Sequence, residues 1–154
     1  MKSLKRLLSL AVSLVMLAGV AAVPASAQED AGIEPYRSSY YLDSYRAWLV
    51  AEDDGVIDVV VDVQAMDYMD DIGALMIIMY ESADEGDTWT AVRGYAASLN
   101  PGMLQHDKLL YYDRAVSYQG IVGRDYLAVV TVYAGDSTGS DSRDYTTTSV
   151  TARK

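Results

Sequence analysis

One histidine, no cysteine and 22 carboxylates bound the chemistry this chain could perform. His106 lies beside Asp107, just after the turn-forming Pro101-Gly102 pair, where an imidazole could serve as general base or metal ligand. No serine stands in a nucleophile-elbow context and no second imidazole exists, so a solvated loop histidine is the expectation. The pairs Asp53/Asp54 and Asp70/Asp71 invite a glycosidase reading, which needs two acids about 5 to 10 Å apart across a cleft. Each pair adjoins a turn signal, nothing near it would desolvate one acid and raise its pKa, and so small a chain has few long loops to wall a cleft. The chain therefore reads as non-catalytic and without a cofactor. Calcium is the metal that its loop oxygens could hold, at Asp84-Glu85-Gly86-Asp87 or between Asp136 and Asp141. Neither cluster follows an EF-hand pattern, and solvated acidic turns are the commoner use of such runs.

The N-terminus carries the parts a secretion apparatus reads: Lys2, Lys5 and Arg6, then an apolar stretch from Leu7 to Val23, then Pro24 and Ala25-Ser26-Ala27. Residues 1–27 are expected to be a signal peptide cut after Ala27. A retained membrane anchor is the rival reading, since about 18 apolar residues span a bilayer, but the Ala-x-Ala site disfavours it. The remaining 127 residues suit one domain with one core. They hold nine basic and 22 acidic residues, a formal charge of −13, which repels phosphate backbones and anionic headgroups. Nucleic acid is excluded as an expected partner, and so is the membrane once the signal is removed. Secretion into the extracellular space would permit disulfides, yet there is no cysteine to form one.

Residues 28–38 contain Gly32 and Pro35 without apolar periodicity and read as a flexible leader; the folded domain is expected over 39–152. Within it, short apolar runs alternate with Gly, Asp, Asn, Ser and Pro clusters, the spacing of an all-β chain. Strands are expected over 39–51, 55–64, 72–81, 88–96, 109–118, 126–134 and 145–151, a seven-stranded antiparallel β-sandwich. The clearest has Ile57, Val59, Val61 and Val63 on one side and Asp58, Asp62 and Gln64 on the other. Over 39–51 the alternating set Tyr45, Ala47 and Leu49 competes with Tyr41, Tyr45, Trp48 and Leu49 at helical spacing. Thirteen tyrosines and no phenylalanine suit a thin sandwich with many half-exposed positions.

The run Tyr126-Leu127-Ala128-Val129-Val130-Thr131-Val132-Tyr133-Ala134-Gly135, with Ser137 to Ser142 after it, resembles the sixth strand and following loop of fibronectin type III and immunoglobulin-like modules. The resemblance implies that Tyr126 forms a tyrosine corner, its ring packed under the turn and its hydroxyl bonded to nearby backbone. A second resemblance is to short secreted proteins of Gram-positive bacteria whose domain has no assigned function. It rests on Ser39-Tyr40-Tyr41-Leu42, Ile72-Gly73-Ala74, Trp89-x-x-Val92, Gly102-Met103-Leu104, Tyr118-x-Gly120-x-x-Gly123-x-x-Tyr126 and Gly139-Ser140-Asp141-Ser142-Arg143. It implies bacterial origin, fold and location, and no activity.

One feature of the strands breaks the usual pattern. If Leu75, Ile77 and Met79 face the core, then Met76, Ile78 and Tyr80 face water, where polar residues belong. Likewise Leu127, Val129, Thr131 and Tyr133 lie outward if Tyr126, Ala128, Val130 and Val132 lie inward. In a fibronectin-like topology the two strands are neighbours, and Met76, Ile78, Tyr80, Leu127, Val129 and Tyr133 merge into one apolar face that a soluble protein seldom leaves bare. A protein partner, a second copy forming a homo-oligomer, or the chain's own leader could cover it. The expected role is a protein-interaction module. A carbohydrate-binding module is the alternative, with Trp48 as stacking platform for a polysaccharide.

Overall fold

The computed structural model describes residues 39–154; the expected signal peptide and leader, 1–27 and 28–38, lie outside the described residues. Seven strands join in one antiparallel sheet that curls into a half-barrel. They are β1 (Leu42–Ala51), β2 (Val56–Ser82), β3 (Thr90–Ala96), β4 (Leu104–Gln119), β5 (Asp125–Asp136), β6 (Gly139–Thr146) and β7 (Val150–Thr151). Short 3-10 turns at Asp53–Gly55 and Pro101–Met103 lead into β2 and β4.

β2 organises everything else. Sequence reading ends one strand at Gln64 and opens another at Ile72, yet a single strand of 27 residues runs through both. The reason is its partner: β4 stays paired with β2 on both sides of an irregularity between Gln64 and Met69, so the polar stretch between them keeps its backbone ladder. Over Ile57–Ala65, β1 lies along one edge and β4 along the other. Over Asp71–Ser82, β5 replaces β1, and from Met76 onward β3 replaces β4. One strand thus serves two half-sheets. β6 continues the second half beyond β5, and β7 pairs with the start of β5.

Seven strands were expected and seven are present, but they are not the same seven. Two merge into β2, while the last divides into β6 and β7. Residues Ser140 to Ser142, expected in a loop, pair with β5 instead. Asp136 makes that possible by closing the turn: its Oδ1 accepts from the Thr138 N–H (2.7 Å), the Thr138 hydroxyl (2.6 Å) and the Gly139 N–H (3.2 Å). In β1 the alternating set prevails over helical spacing, because β2 supplies a ladder and Ala47 and Leu49 reach the core.

The core lies on the side of the sheet to which the alternating aliphatic residues turn. Ile57, Val59, Val61, Val63, Ile77, Met79, Tyr126, Ala128, Val130 and Val132 are fully enclosed, and each large apolar side chain among them stabilises the fold by about 1.5–3 kcal/mol. Leu75, expected inward, is half-buried at a register shift between Ala74 and Met76, and Ala74 takes the inward place. Tyrosine usage also finds its reason here. Tyr126, Tyr133 and Tyr41 lie over Gly120, Gly135 and Gly139, so close that a β-carbon on any of these glycines would strike the aromatic side chain, and at Gly73 it would crowd the Tyr111 ring at 3.0 Å. Phenylalanine could cover a glycine equally well, but it would lose the hydroxyl bonds of Tyr111 to the Gly102 carbonyl (2.9 Å) and of Tyr41 to Thr138 (3.3 Å).

Candidate binding faces of the sheet

The apolar face assembles from direct cross-strand pairs. Met76 lies opposite Thr131, Ile78 opposite Val129 and Tyr80 opposite Leu127. On the other side of β2, Met76 adjoins Ala96, Ile78 adjoins Gly94, and Tyr80 adjoins Ala91. A β-carbon on Gly94 would meet nothing within 4 Å, so the flank of Ile78 towards β3 is open. Met76 is the most exposed of the set, at 39%, and the others are half-buried. Tyr133 departs from it. Its ring leans over Gly135, so it belongs to the β5–β6 hairpin more than to the face built around Ile78 and Val129.

Under one end of that half-sheet sits the tyrosine corner. The Tyr126 hydroxyl accepts from the Ile121 N–H (2.8 Å) in the turn before β5 and donates to Glu81 on β2. Arg124 donates to the other oxygen of Glu81. The ring of Tyr118 packs on Tyr126 with centroids 5.6 Å apart, and Gly120 leaves space for the Tyr126 ring. The spacing Tyr118-x-Gly120-x-x-Gly123-x-x-Tyr126 is therefore a structural device. The hydrogen bond from Tyr126, helped by Arg124, holds the Glu81 carboxyl below its usual range, and burial together with Glu81 pushes the Tyr126 phenol up to about 12.

The other half-sheet carries a different outer face. Arg46, Asp62 and Tyr112 form one cross-strand row, Trp48, Val60 and Arg114 the next, and Val50, Asp58 and Ser117 a third. Trp48 does point outward, as a strand requires. Its ring is already engaged: the Arg46 guanidinium lies 5.0 Å over it, steadied by Asp62 at 2.9 Å, and Tyr112 stands 6.0 Å away. Asp58 is buried beneath this face, accepting from the Ser117 hydroxyl (2.6 Å) and from Arg114 (3.1 Å).

The titratable candidates are placed apart. His106 is on β4, not in a loop, because β4 begins at Leu104 and pairs this residue with Asp71; its Nδ1 is 2.6 Å from Asp71 Oδ1, both side chains well exposed. Asp53 and Asp54 occupy the turn before β2, with Arg153 3.5 Å from Asp53. Asp84 is spent on its own loop: it accepts from the hydroxyls of Ser82 (2.6 Å) and Thr88 (2.5 Å) and from the Thr88 N–H (2.9 Å), bonds that lower its pKa to about 2. Asp141 pairs with Arg143. Among the described residues no group of three or more His, Asp or Glu is gathered to hold a metal.

Sequence reading missed Leu110 and Tyr112, which are 50% and 59% exposed on β4. The signal was present in Leu109-Leu110-Tyr111-Tyr112, a run of four apolar residues in a strand, which must turn two of them outward. Met66 and Tyr68, exposed where β2 passes between its halves, follow from the merging of two expected strands.

Fold and faces together define an all-β domain with two unlike sheet surfaces turned to solvent. No family model matches the chain, and no curated protein matches it. Among solved structures it is similar to a family 76 glycoside hydrolase from a bovine Bacteroides thetaiotaomicron strain, at 13% identity and a TM-score of 0.30, over 74% of this chain and 20% of that one. The chain spans about a fifth of that structure's length, and so slight a likeness assigns none of its activity here.

Proposed function

We propose that the protein is a secreted, non-catalytic bacterial interaction module with a fibronectin type III-like β-sandwich, and that its apolar face binds a protein surface, a second copy of the chain included. The observation that carries this reading is the run of outward pairs Met76/Thr131, Ile78/Val129 and Tyr80/Leu127 beside the small residues Ala91, Gly94 and Ala96. An uncharged strip on a strongly acidic chain is where a partner meets no like charge directly. Methionine and tyrosine are also favoured anchors in protein interfaces. The sandwich reading is supported by the tyrosine corner and by Tyr45 of β1 meeting Tyr145 of β6 edge-on at 6.3 Å. Secretion is supported by the N-terminal sequence pattern.

The test is Met76→Lys combined with Ile78→Lys. Sedimentation of the purified protein and capture from culture supernatant and cell-wall fractions are compared with wild type. A lower solution mass or the loss of a captured protein is expected; the same mass and the same captured proteins in both forms would overturn the proposal.

A further inference from the structure

We infer that the outer face of β1, the first half of β2 and β4 is a separate binding site for an uncharged polysaccharide, with Tyr112 as its stacking ring and Arg46 and Arg114 as hydrogen-bond donors. A sugar ring offers two surfaces at once, a flat C–H face and a rim of hydroxyls, and a site for it needs an open aromatic face beside fixed polar groups. Trp48 alone does not provide this, since Arg46 already lies over its ring. Tyr112 does. It is 59% exposed, stands 6.0 Å from Trp48 at an interplanar angle of 42°, and makes no hydrogen bond through its hydroxyl among the described residues.

The donors flank it by register. Arg46 shares a row with Tyr112 across Asp62, and Arg114 is two residues along β4 on the same face. Strands about 4.8 Å apart and a two-residue step of about 7 Å give a footprint of one or two sugar rings. Each guanidinium gives a single N–H to a carboxylate, Arg46 to Asp62 and Arg114 to Asp58, and both side chains are otherwise well exposed. The remaining N–H groups are held in fixed directions and free to meet hydroxyl oxygens. Because each positive charge is matched by a carboxylate beneath it, the face is locally neutral. An uncharged chain fits it, whereas an acidic one would meet the repulsion of the whole protein.

The experiment uses protein recovered from expression of the full chain, titrated by calorimetry with cellohexaose, xylohexaose, chitohexaose and laminarihexaose, and with polygalacturonate as the charged arm. Binding to at least one neutral oligosaccharide is expected. Tyr112→Ala should weaken it at least tenfold, while Tyr112→Phe, which keeps the ring, and Tyr40→Ala, which removes an exposed ring elsewhere, stay within about twofold. Binding to none of the neutral probes, binding to polygalacturonate alone, or equal affinity in Tyr112→Ala would overturn the inference. Urea unfolding of each variant at wild-type midpoint separates a lost site from a lost fold.

Discussion

The two halves of β2 are built alike on their inner side and oppositely on their outer side. Inward, both present an alternating row of aliphatic residues, Ile57 to Val63 in one and Ile77 to Met79 in the other, each fully enclosed. Outward, the first half places Asp58, Val60 and Asp62 among Arg46, Trp48, Tyr112 and Arg114, so every charge has a partner across the strands. The second half places Met76, Ile78 and Tyr80 against Thr131, Val129 and Leu127, with no charge among them. Inner faces are fixed by the need to make a core, and they tolerate little variation. Outer faces are free of that need, so their difference is where a role can be written: a polar, ring-bearing surface on one half and an apolar strip on the other.

The passage between the halves is the most sensitive point of the strand. Gly73 sits where β2 leaves β4 and continues with β5, with φ at +145°, and a β-carbon there would run into the Met103 carbonyl and lie 3.0 Å from the Tyr111 ring. Gly73→Ala therefore combines backbone strain with overpacking, a loss of about 3 kcal/mol or more. Thermal unfolding should show a fall of about 10 °C or more. A melting temperature within two or three degrees of wild type would mean that the two halves are joined far more loosely than this close packing implies.

Next in size is the tyrosine corner, which ties Glu81 at the end of the second half to Tyr118, the cross-strand partner of Ile57 in the first. Tyr126→Phe keeps the ring over Gly120 but removes the hydroxyl that serves the Ile121 N–H and the Glu81 carboxylate, at a cost of about 2 kcal/mol in urea unfolding at pH 7. Its pH dependence carries a sign. The unfolded phenol ionises near 10 and the folded one near 12, so the unfolded state alone sheds the proton in between, and stability is whole below pH 10 and falls from 10 to 12. Tyr111, raised to about 12 by burial, adds a second such loss, so the Phe variant should show a shallower alkaline decline and not a flat one. At the acid end the lowered Glu81 contributes stability above about pH 4.5 that is lost as pH falls through its folded value. Since Tyr126 is the main cause of that lowering, the acid loss should shrink as well.

Much of this was legible in the residues, and the reasons for what was not are physical. Alternation exposed both long aliphatic rows and the outward set at Met76, Ile78, Leu127 and Val129, because a period of two leaves no choice of face once one face is buried. Tyr126 was legible as a corner through the resemblance of its strand to the sixth strand of fibronectin type III modules, which implies a tyrosine corner at that position. The continuity of β2 was hidden, since Gln64 to Asp71 carries the polar composition of a turn and only the pairing with β4 keeps it extended. β6 was hidden for a like reason: Ser140, Asp141 and Ser142 have poor strand propensity, and what places them in the sheet is the turn closed by Asp136. The bulge that puts Ala74 in the place expected of Leu75, the lean of Tyr133 over Gly135 and the engagement of Trp48 by Arg46 are all side-chain choices made in three dimensions.

The smallest effect sharpens the contrast between outer faces. Asp58→Asn preserves shape but removes the charge that holds Arg114, and it leaves the Ser117 hydroxyl a carbonyl oxygen to donate to. Breaking a buried ion pair usually costs several kcal/mol because the survivor is stranded in a dry interior. Here the survivor is Arg114, whose side chain is well exposed and can turn to water, so the loss should be about 1 kcal/mol. On the opposite half, Met76→Lys with Ile78→Lys removes no hydrogen bond and should change stability by less than about 1 kcal/mol while abolishing association. Urea midpoints measured side by side test the ordering. If the lysine pair proves the more damaging of the two, the apolar strip is holding the sheet together within one molecule, and its hydrophobicity needs no partner to explain it.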